Sequence, residues 1–175
     1  MASVTRKSSG VSLLTMANTI SGFGNTVAKA GWFETNKYPD GTSVAYVASI
    51  QEYGAHFTRF GEKAGDYSVV IPPRPFMRPT VIRETAHWSE LIAKGVAACL
   101  NGRSTPESVL DKVAARAAGD IAKSISLVQT PPLKQSTIDA RRRALTDKKT
   151  VGLLTKPLVD TGLMLDSVTH VVEKE

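Results

Sequence analysis

The sequence predicts an α+β fold: a small antiparallel or mixed sheet packed against two long helices, followed by a short C-terminal helix and strand. Three observations carry this. Residues 71–79 place prolines at 72, 73, 75 and 79, which removes four backbone donors and fixes φ at each, so the segment must be a rigid, extended connector. Residues before it read as strand-rich. Residues after it hold two long apolar patterns at helical spacing.

At 175 residues the chain is expected to form one domain, with residues 1–10 as a disordered or extended arm. No apolar run approaches the roughly 20 residues that a membrane-spanning helix needs. Arg6 and Lys7 precede apolar residues interrupted by Ser12, Thr15, Asn18 and Thr19, so a secretory leader is not expected. Cys99 is the only cysteine; it forbids an internal disulfide, fits a reducing compartment, and its alanine-rich surroundings predict a buried, inert thiol.

Taken in order, Val11, Leu13, Leu14, Met16, Ile20 and Phe23 fit a short helix ended by Gly22 and Gly24. Residues 26–34 read as a strand and 36–41 as a turn built on Pro39-Asp40-Gly41. Ser43 can cap a helix that ends at Gly54. Residues 55–66 suit an exposed loop or hairpin, and 67–71 a strand feeding the connector, in which Phe76 is expected to anchor in the core.

Pro79 is suited to the first helical position, and Val81, Thr85, Trp88, Ile92, Val96 and Cys99 recur on one stripe up to Asn101-Gly102. The second long helix has Thr105 as cap and Pro106 in its first turn, with Leu110, Val113, Ala117, Ile121, Ile125 and Val128 on one side. Thr130-Pro131-Pro132 stops it. A shorter helix over 136–144 follows, with Ser136 and Asp139 in the relation of a capping box. Asp160 or Thr161 can cap one or two helical turns, and residues 169–172 read as a strand able to pair with earlier ones.

Chemistry-bearing patterns are sparse. Asp160-Thr161-Gly162 has the triplet of aspartic proteases in a single copy and in a helical context, which favours a helix cap over catalysis. His56, His87 and His170 stand in no ligand spacing, and no phosphate loop or nucleophile elbow occurs, so neither metal, cofactor nor catalytic set is expected. Pro72 and Pro75 form P-x-x-P, but their ordered, apolar neighbours favour a connector over a peptide ligand.

The net charge of +6 permits, without requiring, contact with nucleic acid. Its tightest cluster is Arg141-Arg142-Arg143, with Lys148 and Lys149 shortly after and no interleaved aromatics.

Two separated signatures carry a resemblance. Glu52-Tyr53-Gly54 followed by Ile71-Pro72-Pro73-Arg74-Pro75-Phe76-Met77-Arg78-Pro79 resembles the central motif of the tail completion and neck proteins of long-tailed bacteriophages. Pro132-Leu133-Lys134-Gln135-Ser136-Thr137-Ile138, then residues 156–168 around Asp160-Thr161-Gly162, is similar to that family's C-terminal motif, with Gln135 departing from a proline expected there. The resemblance implies a non-enzymatic virion protein that forms a ring, hexameric by expectation, at the head-proximal end of the tail. Its partners would be further copies of itself, a tail terminator or tail tube protein, and head connector proteins, with DNA nearby and no membrane. Assembly would take place in the cytoplasm of the host bacterium.

A tail terminator or head-side adaptor is the nearest alternative, and a basic DNA-binding protein is the alternative of another class. The expected subunit contacts are His56 and Arg59 in the first loop and Arg141, Arg142, Arg143, Lys148 and Lys149 in the second.

Overall fold

The computed structural model describes residues 11–59, 67–144 and 154–175. Residues 1–10, expected as an arm, lie outside these, as do Lys148 and Lys149. The order is α1 (Leu13–Gly24), β1 (Thr26–Gly31), α2 (Val44–Tyr53), β2 (Ala55–Arg59), β3 (Tyr67–Ile71), α3 (Met77–Leu100), α4 (Pro106–Leu127), α5 (Gln135–Ala144), α6 (Leu163–Asp166) and β4 (Thr169–Lys174). The fold is α+β, and its sheet is divided into two antiparallel ladders, β1 with β4 and β2 with β3. The half before the connector is less strand-rich than its composition predicts, because α1 and α2 flank β1 there.

Local signals set several boundaries. Ser43 and Thr105 accept hydrogen bonds from the N–H groups of Tyr46 and Ser108, so α2 and α4 are capped by the residues that the sequence marks. Asn101 closes α3 and Gly54 closes α2. At three other starts the structure corrects the expectation. Helix α3 begins at Met77, two residues before Pro79, which occupies a first-turn position where no helical N–H bond is lost.

Helix α5 begins at Gln135, so Ser136 lies inside it; Gln135 Nε2 donates to Asp139 Oδ1 at 3.0 Å in place of a capping box. Before α6, the N-cap position is Gly162, and the Thr161 hydroxyl accepts from Leu163 N at 3.3 Å.

The core gathers Val44 and Ala48 of α2, Phe76 of the connector, Ile121 and Ile125 of α4, Leu158, and Met164 of α6. Phe76, 1% exposed, stands edge-on to Trp32 with ring centroids 5.8 Å apart, and the Trp32 indole N–H donates to Met164 O at 2.8 Å. The Phe76 carbonyl accepts from the hydroxyls of Thr80 and Ser124. The connector is thereby held from both long helices.

Helices α3 and α4 form an antiparallel pair tied by Asp120, whose carboxylate accepts from Trp88 Nε1 at 3.0 Å and from Arg116 Nε. The predicted stripes hold over most of their length, with Trp88, Ile92 and Val96 half-buried and Cys99 buried on α3, and depart from expectation at the start of α3. Val81 and Thr85 are exposed while Thr80 is buried, and on α4 Val109, Ala114 and Ala118 are buried beside Ile121 and Ile125. The two helices approach closely at Gly95, where a Cβ would clash with the Val109 side chain. Cys99 is buried, as its neighbours predict.

Strand β4 pairs with β1 over six residues, from Thr26 opposite Lys174 to Gly31 opposite Thr169, and the ladder packs on α4. No helix among the described residues is long and apolar enough to cross a membrane.

Candidate functional site

The two signature regions meet in a junction organised by three charged side chains. Glu52, in the last turn of α2, is 4% exposed. Its Oε2 accepts from the N–H groups of Phe76 at 2.7 Å and Met77 at 2.9 Å, and its Oε1 from Arg78 N at 3.1 Å and Arg78 Nε at 2.9 Å. Helix α3 has no cap from its own N-cap residue, Phe76, so a carboxylate 24 residues upstream satisfies its orphan donors and meets the positive end of its dipole.

Burial pushes the Glu52 carboxyl up, but the amides of Met77 and Phe76 and the Arg78 guanidinium more than reverse this and hold it below its ordinary value. Arg78 also donates to Glu52 O and lies 4.7 Å over the Tyr53 ring. Gly54 then turns the chain at φ +77°, where a Cβ would meet Ile71 O at 2.9 Å.

Arg74 is the second organiser. Its main-chain N–H donates to Gln51 O at 2.7 Å, and its guanidinium donates to Pro131 O at 2.8 Å, Gln51 Oε1 at 3.2 Å and Pro132 O at 3.2 Å. It thus binds the end of α2 to the segment between α4 and α5. Burial, and then the charge of Arg141, lower its pKa.

Arg141, on α5, is the third. Its Nη1 reaches Lys156 O at 2.8 Å, Val159 O at 3.1 Å and Leu154 O at 3.4 Å, and its Nε lies 3.1 Å from Asp160 Oδ1. One guanidinium therefore gathers the turn before α6. The Arg141 side chain is only 12% exposed and turned inward, unlike the exposed Arg142 and Arg143 on the same helix.

A polar, open cleft of about 350 Å³ lies beside Arg141, lined among others by Tyr38, Asp40, Gln51, Asp160 and Thr161. Asp40 is held in a turn by Thr42, which keeps its carboxyl below the usual range. The Tyr38 phenol is pushed up, first by burial and then by the charges of Asp160 and Asp40. Asp160 forms an ion pair with Arg141 and faces solvent, so this carboxylate has no second one sharing a proton with it among the described contacts. No group of three or more potential metal ligands occurs among the described residues. The lining offers hydrogen-bonding groups from Tyr38, Asp40, Gln51 and Thr161.

No family model, curated protein or solved structure matches the chain. The sequence-derived residues fall into two sets. Glu52, Tyr53, Gly54, Pro72, Arg74, Pro75, Phe76 and Pro79 lie along one path from the end of α2 into α3, and Asp160, Thr161 and Gly162 form the turn held by Arg141. His56 lies on exposed β2 beside Ser68, Arg59 ends β2, and Arg142 and Arg143 face solvent.

Arg78 and Gln51 were missed as organising side chains. Nothing in their local sequence marks them, because their partners lie on other elements.

Proposed function

We propose that the chain is a structural, non-enzymatic virion subunit of a tailed bacteriophage, a tail completion or neck component that forms a ring at the head-proximal end of the tail and helps join tail to head. The reading rests on the resemblance of residues 52–54 with 71–79, and of 132–138 with 156–168, to that family. Its single structural support is that the resembling segments act together as scaffold. Glu52 caps the helix after the connector, Arg74 fastens the connector to Pro131 and Pro132, and Arg141 folds the turn at Asp160. Such a junction fixes the relative placement of surface elements, which is what a subunit with neighbours on two sides requires.

The partners in this reading are further copies of the chain, a tail terminator or tube protein, and the head connector. Electron microscopy of purified tails and virions with a gold-labelled antibody against the chain tests it. Label at one position, where tail meets head, is expected; label along the whole tube, or none on the particle, overturns the reading.

A further inference from the structure

A pocket of about 300 Å³ lies where the end of α3 meets the start of α4, at the opposite end of α3 from Glu52. Its floor is apolar: Val109 is buried, and Leu91, Ala98 and Val113 are half-buried around it. Three cations, Lys94, Arg103 and Lys112, stand exposed at its rim, and no carboxylate lines it among the described residues.

Backbone geometry fixes where these cations sit. Gly102, at φ +68°, donates to Cys99 O at 2.9 Å, and Arg103 N donates to Ala98 O at 2.9 Å, the paired bonds with which a helix turns its chain after a left-handed residue. The Arg103 backbone is thereby held beside Ala98. Thr105 then caps α4, whose second turn carries Lys112. Gly95 has no Cβ, so α3 and α4 approach until the Val109 side chain takes that place, which brings Lys94 and Lys112 to one opening.

The positive charge there is poorly compensated. Arg103 and Lys112 enter no ion pair among the described residues. Lys94 lies 2.7 Å from Glu90, but both side chains are largely exposed, and such a pair holds its partners weakly. The three cations repel one another until an anion joins them.

We propose that this pocket docks an acidic segment of a partner protein, with one apolar side chain of the segment on the floor and its flanking carboxylates on Lys94, Arg103 and Lys112. Charge complementarity selects this occupant. An apolar centre inside a charged rim has the layout of a protein contact, and the Arg103 guanidinium presents a fork that suits a carboxylate. A second copy does not fit, because the chain carries a net charge of +6 and most of its described carboxylates already stand in ion pairs. Nucleic acid fits less well: a duplex is too broad to reach the floor, and no aromatic ring among the described residues lines the pocket for a base to stack on. The contact uses none of the signature residues and holds whether or not the chain forms a ring.

Fluorescence anisotropy of a short labelled peptide, one leucine flanked on each side by glutamates, titrated with the full chain, provides the test. Circular dichroism establishes that each variant is folded. Wild type should bind with a Kd below about 1 mM. Arg103→Glu and Lys112→Glu, both at exposed positions, should each weaken binding at least about tenfold. Ala98→Leu, which fills the pocket without changing charge, should weaken it about as much, and so should serine in place of the peptide's leucine. Lys123→Glu makes the same change of charge further along α4 and should leave binding as in wild type.

No binding at about 1 mM overturns the proposal. So does an equal loss in Lys123→Glu, the mark of general charge attraction, and so does binding indifferent to both Ala98→Leu and the serine peptide, since the floor then takes no part. If Ala98→Leu does not fold, the serine peptide makes that comparison by itself. A labelled DNA duplex that binds and is lost in Arg103→Glu and Lys112→Glu, while the peptide does not bind, overturns it in favour of nucleic acid.

Discussion

At the scale of single residues, Glu52 decides how the connector enters α3. Replacing it by Gln keeps the shape but removes the charge that three amides and Arg78 share, and should cost on the order of 3 kcal/mol in urea unfolding at neutral pH. The pH dependence has a definite sign. A carboxyl held below its unfolded value stabilises the fold fully above that value, about 4.3 for a free Glu, and the contribution fades as pH falls through the lower, folded value. Wild type should therefore lose stability on acidification more steeply than Glu52→Gln; parallel acid limbs would show that this carboxylate is not the group responsible. The sequence marks Glu52 only as part of a signature; its role as a cap was not legible locally, since its partners lie 24 to 26 residues away.

At the scale of elements, what could be read from the sequence was whatever neighbouring residues determine. The caps at Ser43 and Thr105 and the stops at Gly54 and Asn101 are local chemistry, and the helices they bound occur where the sequence places them. The start of α3 was displaced because its cap comes from another helix, and the start of α5 because Asp139 binds Gln135 rather than forming a box with Ser136. How closely α3 and α4 approach is not encoded by periodicity; Gly95 against Val109 sets it at one point. Gly95→Ala should destabilise by about 1–3 kcal/mol through overpacking, and Val109→Ala in the same chain should recover part of that loss. A double variant whose melting shows simple additivity would mean that the two positions do not meet.

At the scale of the whole molecule, Arg74 and Arg141 do for irregular segments what ladders do for strands: they satisfy carbonyls that no regular element satisfies. Arg74→Lys keeps the charge but cannot match three acceptors in one plane, and should cost about 2–4 kcal/mol and expose the segment at Pro131 to proteolysis. Unchanged cleavage and melting would show that Lys suffices. That prolines 72, 73, 75 and 79 make a stiff segment and that Phe76 anchors it in the core was legible in the sequence; that the segment aims Arg74 at Gln51, Pro131 and Pro132 was not. The pairing of β1 with β4 bears on synthesis. Lys29 meets Glu173 across 144 residues, so at about 5–20 residues per second β1 waits on the order of 10 s on the ribosome for its only ladder partner among the described strands. During that interval the α3–α4 pair can form from local contacts, while the layer over α4 cannot close. The β1–β4 layer therefore closes on α4 only once residues 169–174 have been made, so the helical pair has to hold together without it until then.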